Sequence, residues 1–284
     1  MSCSPLYNSN NNTCYSLNDL KEIAKKFNNQ NTTQHKIKLT QNKQQLYKAL
    51  VKANYNECGN NEYCWLKQNY MYINNDIKKF LIKFRPSMPD NWKETPNYWL
   101  NTYNLINVMV QYEDKYKNFK FLGVHPIDFS FKQNNICISE NMCNININDL
   151  YKKKIYKLGG IFNLDRHYQS GSHWVSLFAN INLKSKNYGI YYYDSNGRNA
   201  PLEIRKFALK LITENFDITK KKLHFFQNNI RHQLENSECG MFSLYFLDQS
   251  LKNINFNKFI MNKNLNDKFV FNLRNKFFNK INSI

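Results

Sequence analysis

Four residues that could carry out acyl transfer by a thiol occur in order in the C-terminal half of the chain: His173, Asp194, Gln233 and Cys239. A histidine is a suitable base, and an aspartate can orient the imidazole ring. A side-chain amide can donate a hydrogen bond to an oxyanion, and a cysteine can attack a carbonyl carbon. The order of these residue types therefore indicates nucleophilic catalysis, provided that the fold brings them together.

Cys239 is the candidate nucleophile because of its place in a predicted helix. Residues 237–252 are mostly apolar and predict a central helix, with Ser237 as its N-cap. Cys239 then lies in the first turn, where the helix dipole and the unpaired backbone N–H groups favour a thiolate. Gly240 has no side chain and leaves the sulfur accessible. The alternative is a buried, inert cysteine.

His173 and Asp194 are placed by two predicted strands. His173 precedes a strand over 174–183, and Asp194 ends a second strand over 187–193. If the two strands are neighbours, their ends meet, and the Asp194 carboxylate accepts a hydrogen bond from Nδ1–H of the imidazole. Asn196 is a second candidate for the orienting residue. The rival candidates for the base are His35, His125, His167, His224 and His232, of which His167 and His232 are close in sequence to the key segments.

Gln233 lies six residues before Cys239 and is the candidate oxyanion donor, together with the backbone N–H of Cys239. Each of these residues also has an ordinary structural interpretation. Asp194 begins the sequence Asp-Ser-Asn-Gly, which is typical of a turn, and Gln233 could be a solvated loop residue. The catalytic interpretation rests on finding all four residue types in one region.

The remainder of the chain predicts a second, N-terminal part. Residues 1–15 are rich in Asn and Ser and predict disorder, and two amphipathic helices follow, the first with a capping box at Ser16–Asp19 and the second capped by Thr40. The proline-rich stretch 86–96 predicts a boundary, so we expect a helical arm at 1–95 and a core domain at 96–284. The two helices also resemble, weakly, a SAP-type nucleic-acid-binding pair, although a structural appendage is the simpler interpretation.

The formal net charge of the chain is +19, and residues 251–284 are the most basic segment. A basic surface favours nucleic acid or other acidic partners, but no motif that reads a nucleic-acid groove accompanies the charge. A solvated lysine-rich surface is the simpler interpretation. The sequence contains no run of about 18 apolar residues, so we expect no membrane span.

The cysteines and the N-terminal residues predict the compartment. The start of the chain is polar and Asn-rich, unlike a secretory signal peptide. The odd number of cysteines and their long spacings favour free thiols in a reducing, cytosolic or nuclear compartment. Structural zinc ligands are usually two to four residues apart, so we expect no zinc site. The cysteines are Cys3, Cys14, Cys58, Cys64, Cys137, Cys143 and Cys239.

The motifs around the candidate residues resemble those of the ubiquitin-like-protein protease and adenovirus-type protease clan. The resemblance covers residues 98–255 and rests on these elements: Trp99-Leu100-Asn101, His173-Trp174, Tyr193-Asp194-Ser195, Gln233 and Cys239-Gly240. A more specific resemblance is to the polyprotein-processing protease of asfarviruses and related large DNA viruses. It rests on Asn163-Leu164-Asp165, Arg231-His232-Gln233 and the run from Ser237 to Leu244. Some viral members carry Asn where this chain has Asp194.

The resemblance implies an α+β fold of the papain-like type, in which a central helix bears Cys239 and packs on a small mixed sheet. It implies a Cys-His-Asp triad of Cys239, His173 and Asp194, with Gln233 in the oxyanion hole. Trp174, Asn163 and Gly240 are then expected to bind the substrate, with Trp174 above a channel that only glycine can pass.

The resemblance also implies a function. The expected activity is cleavage after Gly-Gly in viral structural polyproteins during virion maturation, without a metal or an organic cofactor. The expected location is the virion and the assembly sites in the host cytoplasm. The alternatives are an isopeptidase that removes SUMO or other ubiquitin-like modifiers, and an inactive module that binds nucleic acid. The sequence leaves the oligomeric state open.

Overall fold

The computed structural model describes residues 3–6, 13–30, 36–72 and 77–279. They divide into two compact units: unit 1 comprises Met1–Ser87 and Phe277–Ile284, and unit 2 comprises Met88–Lys276. The expected boundary between residues 95 and 96 stays a prediction. No helix in the described ranges has the length and apolar character that crossing a bilayer requires.

Unit 1 is helical and has its own apolar core. Tyr15 is 1% exposed and stacks on Trp65 with ring centroids 5.9 Å apart. The described residues before the first helix are therefore ordered, and the prediction of disorder over 1–15 is wrong for residues 3–6 and 13–15. Residues 7–12 lie outside the described ranges. The predicted capping box is present, since Ser16 and Asp19 exchange hydrogen bonds, whereas the N-cap of the second helix is Asn42 and not Thr40.

The helices of unit 1 are α1 (Leu17–Gln30), α2 (Lys43–Cys58), α3 (Glu62–Trp65) and α4 (Lys78–Leu81), with a 3₁₀ turn at Asn69–Met71.

Six of the seven cysteines form disulfides, which contradicts the prediction of free thiols. The pairs are Cys3–Cys14, Cys58–Cys64 and Cys137–Cys143, and Cys239 is free. The six-residue spacing of Cys58 and Cys64 spans a helix end, a turn at Gly59 and the start of the next helix, which brings the two Cα atoms to 5.5 Å. That separation lies within the range that a disulfide bridges.

Unit 2 contains a five-stranded mixed sheet, and its strands in spatial order are β1 (Phe119–Pro126), β4 (Lys157–Asn163), β5 (Trp174–Asn180), β6 (Gly189–Tyr193) and β7 (Phe225–Gln227). β4, β5 and β6 are antiparallel neighbours, while β1 and β7 pair in parallel with β4 and β6. The expected pairing of the two strands that place His173 and Asp194 is confirmed, because β5 and β6 are adjacent. Strands β2 and β3 are Lys132–Gln133 and Ile136–Cys137.

Helices cover the sheet. Helix α9 (Cys239–Leu251) contacts β5, and it is buried along most of its length, as its apolar sequence predicts. Among the helices that follow the 3₁₀ turn Asp90–Lys93 are α5 (Thr102–Lys115), α6 (Glu140–Cys143), α7 (Ile147–Lys152), α8 (Leu202–Thr219), α9 (Cys239–Leu251), α10 (Phe256–Ile260), α11 (Asp267–Asn272) and α12 (Arg274–Phe277).

Strand β4 contains the pair Gly159-Gly160, although a Gly-Gly pair is more typical of a turn than of a strand. Both glycines lie inside the strand, where aromatic rings occupy the space of a side chain. A Cβ on Gly159 would lie 3.0 Å from the Phe119 ring, and one on Gly160 would lie 3.0 Å from the Phe162 ring. The glycines therefore serve close packing in the sheet.

Candidate active site

Cys239 is the first residue of α9, and it is buried, with 1% of its surface exposed. This agrees with its expected place in the first turn, where backbone N–H groups point out of the helix end. The expected N-cap is wrong by one residue, because Glu238 occupies the N-cap position and makes no side-chain capping bond. The Ser237 hydroxyl instead donates to Glu238 Oε1 at 3.2 Å.

His173 lies immediately before β5, and Asp194 follows β6, so the two side chains meet at one edge of the sheet. Imidazole Nε2 and Asp194 Oδ1 are 2.7 Å apart. The expected contact is confirmed, but the expected ring nitrogen is wrong: the carboxylate binds Nε2 and not Nδ1. Nε2 is farther from the backbone and reaches a carboxylate at the end of the neighbouring strand, so Nδ1 is the ring nitrogen that Asp194 does not bind.

The surroundings of His173 favour a protonated imidazole. Burial is the largest single influence and lowers the pKa of His173. Hydrogen bonds to Asp194 and Cys239, together with the charges of both partners, outweigh it and raise the pKa to about 9. At neutral pH the ring therefore carries a proton.

Asp194 is fully buried, and its backbone is fixed by Asn228, which sequence reasoning missed. Asn228 Oδ1 accepts from the Asp194 backbone N–H at 2.9 Å, and Asn228 Nδ2 donates to the Asp194 carbonyl at 2.8 Å. The Asn196 backbone N–H donates to Asp194 Oδ1 at 2.8 Å. The Asn196 side chain is 3.4 Å from Nε2 of His173, so Asp194 is the closer orienting residue.

Gln233 is buried beside Asp194 and not solvated. The Ser195 hydroxyl donates to its Oε1 at 2.7 Å, and its Nε2 donates to the Glu235 carbonyl at 2.7 Å. Ser195 follows Asp194 directly, so this bond connects the Gln233 loop to the end of β6. The amide carries a second N–H, and the expected oxyanion role of Gln233 stays a prediction.

The three expected substrate-binding residues lie close together. Asn163 and Trp174 are partners across β4 and β5, and both line a cavity of about 580 Å³. A Cβ on Gly240 would lie 3.3 Å from Trp174 Cδ1. Asn163 also has a structural task, because its Oδ1 accepts from the backbone N–H groups of Asp165 and Ser172 and shapes the loop at the cavity.

Two rival histidines close in sequence to the key segments have other partners, and His35 lies outside the described ranges. His167 Nδ1 is 2.7 Å from Asp128 Oδ2, and His232 contacts the Tyr193 hydroxyl and the Ile260 carbonyl. The described part of the chain holds no group of three or more His, Cys, Asp or Glu residues suited to a metal ion. Of His167, His173 and His232, His173 is the one that binds Asp194 and whose pKa is raised by Cys239.

Comparison with known proteins identifies the family. Residues 144–284 match the model of the Ulp1 protease family, C-terminal catalytic domain. A protein of Acanthamoeba polyphaga mimivirus, named as a thiol protease, is 31% identical over 97% of this chain and 92% of its own length. The chain belongs to the Ulp1 protease family. It is therefore a member of a cysteine protease family, as the motifs around Cys239 indicated.

Two further comparisons involve African swine fever virus. The SUMO-1 cysteine protease of its isolate Pig/Kenya/KEN-50/1950 is 25% identical over 45% of this chain and 45% of that protein. The crystal structure of the protease of this virus superposes with a TM-score of 0.66 at 18% identity, covering 99% of this chain and 96% of that chain. This likeness confirms the expected α+β protease fold.

Gly240 is expected to be required for the geometry of this Ulp1-family site. A Cβ there would lie 3.1 Å from Leu100 Cβ, which is attached to the main chain, so the backbone of Leu100 would have to move. Gly240→Ala should lower kcat/KM by about tenfold or more, since small displacements at a catalytic centre are costly. The melting temperature should hold, because alanine favours a helix by about 1 kcal/mol over glycine.

Peptidase kinetics and thermal unfolding of Gly240→Ala test this expectation. Gly240→Ser adds one more atom in the same place and should lose more activity. An unchanged kcat/KM in both variants would contradict it.

Proposed function

We propose that the protein is a cysteine endopeptidase that cleaves after Gly-Gly in viral structural polyproteins during virion maturation. One observation carries the proposal: the His173 imidazole binds the Asp194 carboxylate at 2.7 Å, and the pKa of the same ring is raised by Cys239, the first residue of α9. This arrangement has the base, the orienting group and the nucleophile that hydrolysis by a thiol requires.

In the proposed reaction, His173 holds the proton of Cys239, and the sulfur attacks the carbonyl carbon of the second glycine. The backbone N–H of Cys239 and the second N–H of the Gln233 amide donate to the oxygen as it gains charge. His173 then passes the proton to the leaving amine, and the peptide bond breaks to give a thioester. Water, deprotonated by His173, attacks the thioester and releases the acid and the free thiol.

The preference for glycine is supported by the packing around the nucleophile. Trp174 Nε1 donates to the Leu100 carbonyl at 2.9 Å, which fixes the indole beside Gly240. Trp174 is 8% exposed, and it lines the cavity of about 580 Å³. Leu100 and Trp174 crowd the position next to Cys239, since a Cβ on Gly240 would lie 3.1 Å from Leu100 Cβ and 3.3 Å from Trp174 Cδ1, and a substrate glycine needs the least room there.

Removal of ubiquitin-like modifiers is the second candidate function. Membership of the Ulp1 protease family favours it, as does the name of the African swine fever virus relative, a SUMO-1 cysteine protease. Both functions use the same proposed catalytic residues, so the substrates must separate them.

Mass spectrometry of products tests the proposal. The protein is incubated with structural polyproteins, with Gly-Gly-X peptides and with a modifier conjugate, each beside Cys239→Ala. We expect cuts after Gly-Gly in the peptide and the polyprotein, and a loss of at least about tenfold when either glycine is changed to alanine. Efficient cleavage of the conjugate alone would replace the polyprotein function with the isopeptidase function.

Nucleic acid is a proposed partner through the basic surface, in view of the net charge of +19. Binding of this kind weakens steeply with salt, because counterions are released. A titration of DNA at two salt concentrations, together with a Gly-Gly probe that labels thiols, separates a peptidase that also binds DNA from an inactive binding module. The module would bind DNA while Cys239 stayed unlabelled.

We further propose that the protein acts in the virion and at assembly sites in the host cytoplasm. The viral sources of the relatives support this location. Labelling of Cys239 with the Gly-Gly probe in fractions of infected cells would locate the active protein, and signal confined to the secreted fraction would contradict the proposal.

A further inference from the structure

Arg274, in α12, is a buried cation far in sequence from the proposed catalytic residues. It is 3% exposed and binds the Glu238 carboxylate with two parallel hydrogen bonds, Nε to Oε2 at 3.0 Å and Nη2 to Oε1 at 2.8 Å. A bidentate pair fixes the orientation of both side chains, which a single point contact does not do.

Glu238 precedes the nucleophile directly. It occupies the N-cap position of α9, where its side chain makes no capping bond, because the carboxylate is bound to Arg274. The backbone between Glu238 and Cys239 sets the position from which the sulfur projects. Arg274 therefore fixes the residue from which the nucleophile-bearing helix begins.

The same guanidinium holds a second segment, Tyr98–Asn101, here called the strap. Nη1 donates to the Tyr98 carbonyl at 2.9 Å, and Trp92 Nε1 donates to the same oxygen at 3.1 Å. The guanidinium carbon lies 4.1 Å from the centroid of the Trp92 ring. Tyr98 is thus held at its carbonyl by a cation and by an indole that stack on each other.

The strap contacts the candidate site two residues further on. The Leu100 carbonyl accepts from Trp174 Nε1 at 2.9 Å, and the Leu100 side chain packs where a Gly240 side chain would project. One buried cation therefore connects the start of the Cys239 helix with the segment that fixes Trp174. Movement of Arg274 would shift both sides of the site.

We propose that Arg274 is a positioning residue of the proposed peptidase. It holds Glu238 and the strap in register, so that the sulfur faces the His173 imidazole while Trp174 stays beside Gly240. The expected effect on kcat rests on the proposed function. The expected effect on the position of Cys239 does not, because it can be measured without a substrate.

Loss of Arg274 would leave a buried carboxylate without its counter-charge. Burial raises the pKa of Glu238, and the hydrogen bonds and charge of Arg274 oppose that effect. Without the guanidinium, the Glu238 carboxyl would take up a proton or turn towards solvent, and either change relaxes the position of Cys239.

The experiment compares Arg274→Lys and Arg274→Met with wild type. Lysine keeps the positive charge but cannot make the two parallel hydrogen bonds to the Glu238 carboxylate. We expect both variants to lower kcat by about 10- to 100-fold, with a smaller change in KM, because the acting groups are misplaced. The rate of Cys239 alkylation by iodoacetamide between pH 5 and 10, which needs no substrate, should fall at neutral pH. Lys268→Met removes an exposed charge from the neighbouring helix α11 and is the matched control.

A double variant separates positioning from stability. Glu238→Gln with Arg274→Met removes both buried charges, and it should recover the melting temperature lost in Arg274→Met without recovering kcat or the alkylation profile. Recovery of activity together with stability, or Arg274→Lys with wild-type kcat and alkylation, would overturn the proposal. If wild type cleaves no peptide, the proposed function fails, and the alkylation profiles still decide the role of Arg274.

Discussion

Cys239→Ala is expected to abolish peptide cleavage, with a loss of more than about 1,000-fold in kcat, because no other group can form the thioester. The six other cysteines are held in disulfides, and Cys239 is the free thiol of the described residues. Cleavage of a Gly-Gly-X peptide and labelling by a thiol-reactive Gly-Gly probe both measure the loss. The probe should add to wild type at one residue only.

Folding must persist for this loss to be informative. Cys239 is buried at a helix start, and alanine is smaller and favours a helix, so we expect the variant to remain folded. Ser243→Ala, one turn further along the same buried helix, is the matched control and should keep its activity. Undiminished turnover in Cys239→Ala would remove Cys239 from the mechanism.

The positions of the three residues of the proposed triad were predictable because each stands at the end of a regular element. His173 precedes a strand, Asp194 ends the next strand, and Cys239 begins a helix, and such ends are readable from alternation and apolar runs. Adjacent antiparallel strands then bring the first two together. The local sequence pattern and the pairing of two adjacent strands were therefore sufficient to predict where these residues lie.

The supporting contacts were not predictable, because they join positions far apart in sequence. Asn228 fixes the backbone of Asp194 from 34 residues away, and Arg274 binds Glu238 from 36 residues away. Neither residue stands in a motif, and a polar residue in a loop has many possible partners. A hydrogen bond of this kind is set by tertiary packing.

The disulfides and strand β4 were not predictable from the sequence for a different reason. The compartment was inferred from the number of cysteines, whereas pairing depends on whether a turn brings two Cα atoms within about 7 Å. A Gly-Gly pair is typical of a turn, whereas at Gly159-Gly160 the neighbouring Phe119 and Phe162 rings fill the space of the missing side chains. In both cases the structure depends on residues that pack against the segment, and rules that use only neighbouring residues in the sequence do not include them.

The second large effect concerns the charge on His173. Asp194→Asn keeps a hydrogen-bond acceptor of the same shape but removes the negative charge that helps to hold the pKa of His173 at about 9. We expect a fall in kcat/KM of roughly 100-fold or more, since positioned proton transfer contributes that much to catalysis. The alkaline limb of the pH profile, which reports loss of the imidazolium proton, should move to lower pH by at least about one unit.

A second pair in the same unit supplies the control. His167 and Asp128 are also 2.7 Å apart, and Asp128→Asn should leave the alkaline limb where it is in wild type. A limb that moved equally in both variants, or in neither, would show that Asp194 does not set the charge on His173.

The free energy of unfolding should also depend on the charge of His173. The pKa of His173 is raised in the folded state, so the folded protein keeps a proton that the unfolded chain releases near pH 6.5. The stabilisation is complete below about pH 6.5 and is lost as the pH rises through about 9, by roughly 3 kcal/mol. Urea unfolding at pH 6 and pH 10 of wild type and His173→Gln measures the difference. If the two proteins lose equal stability over this interval, His173 is not held as an imidazolium in the folded state, and the thiol must give up its proton to a neutral ring.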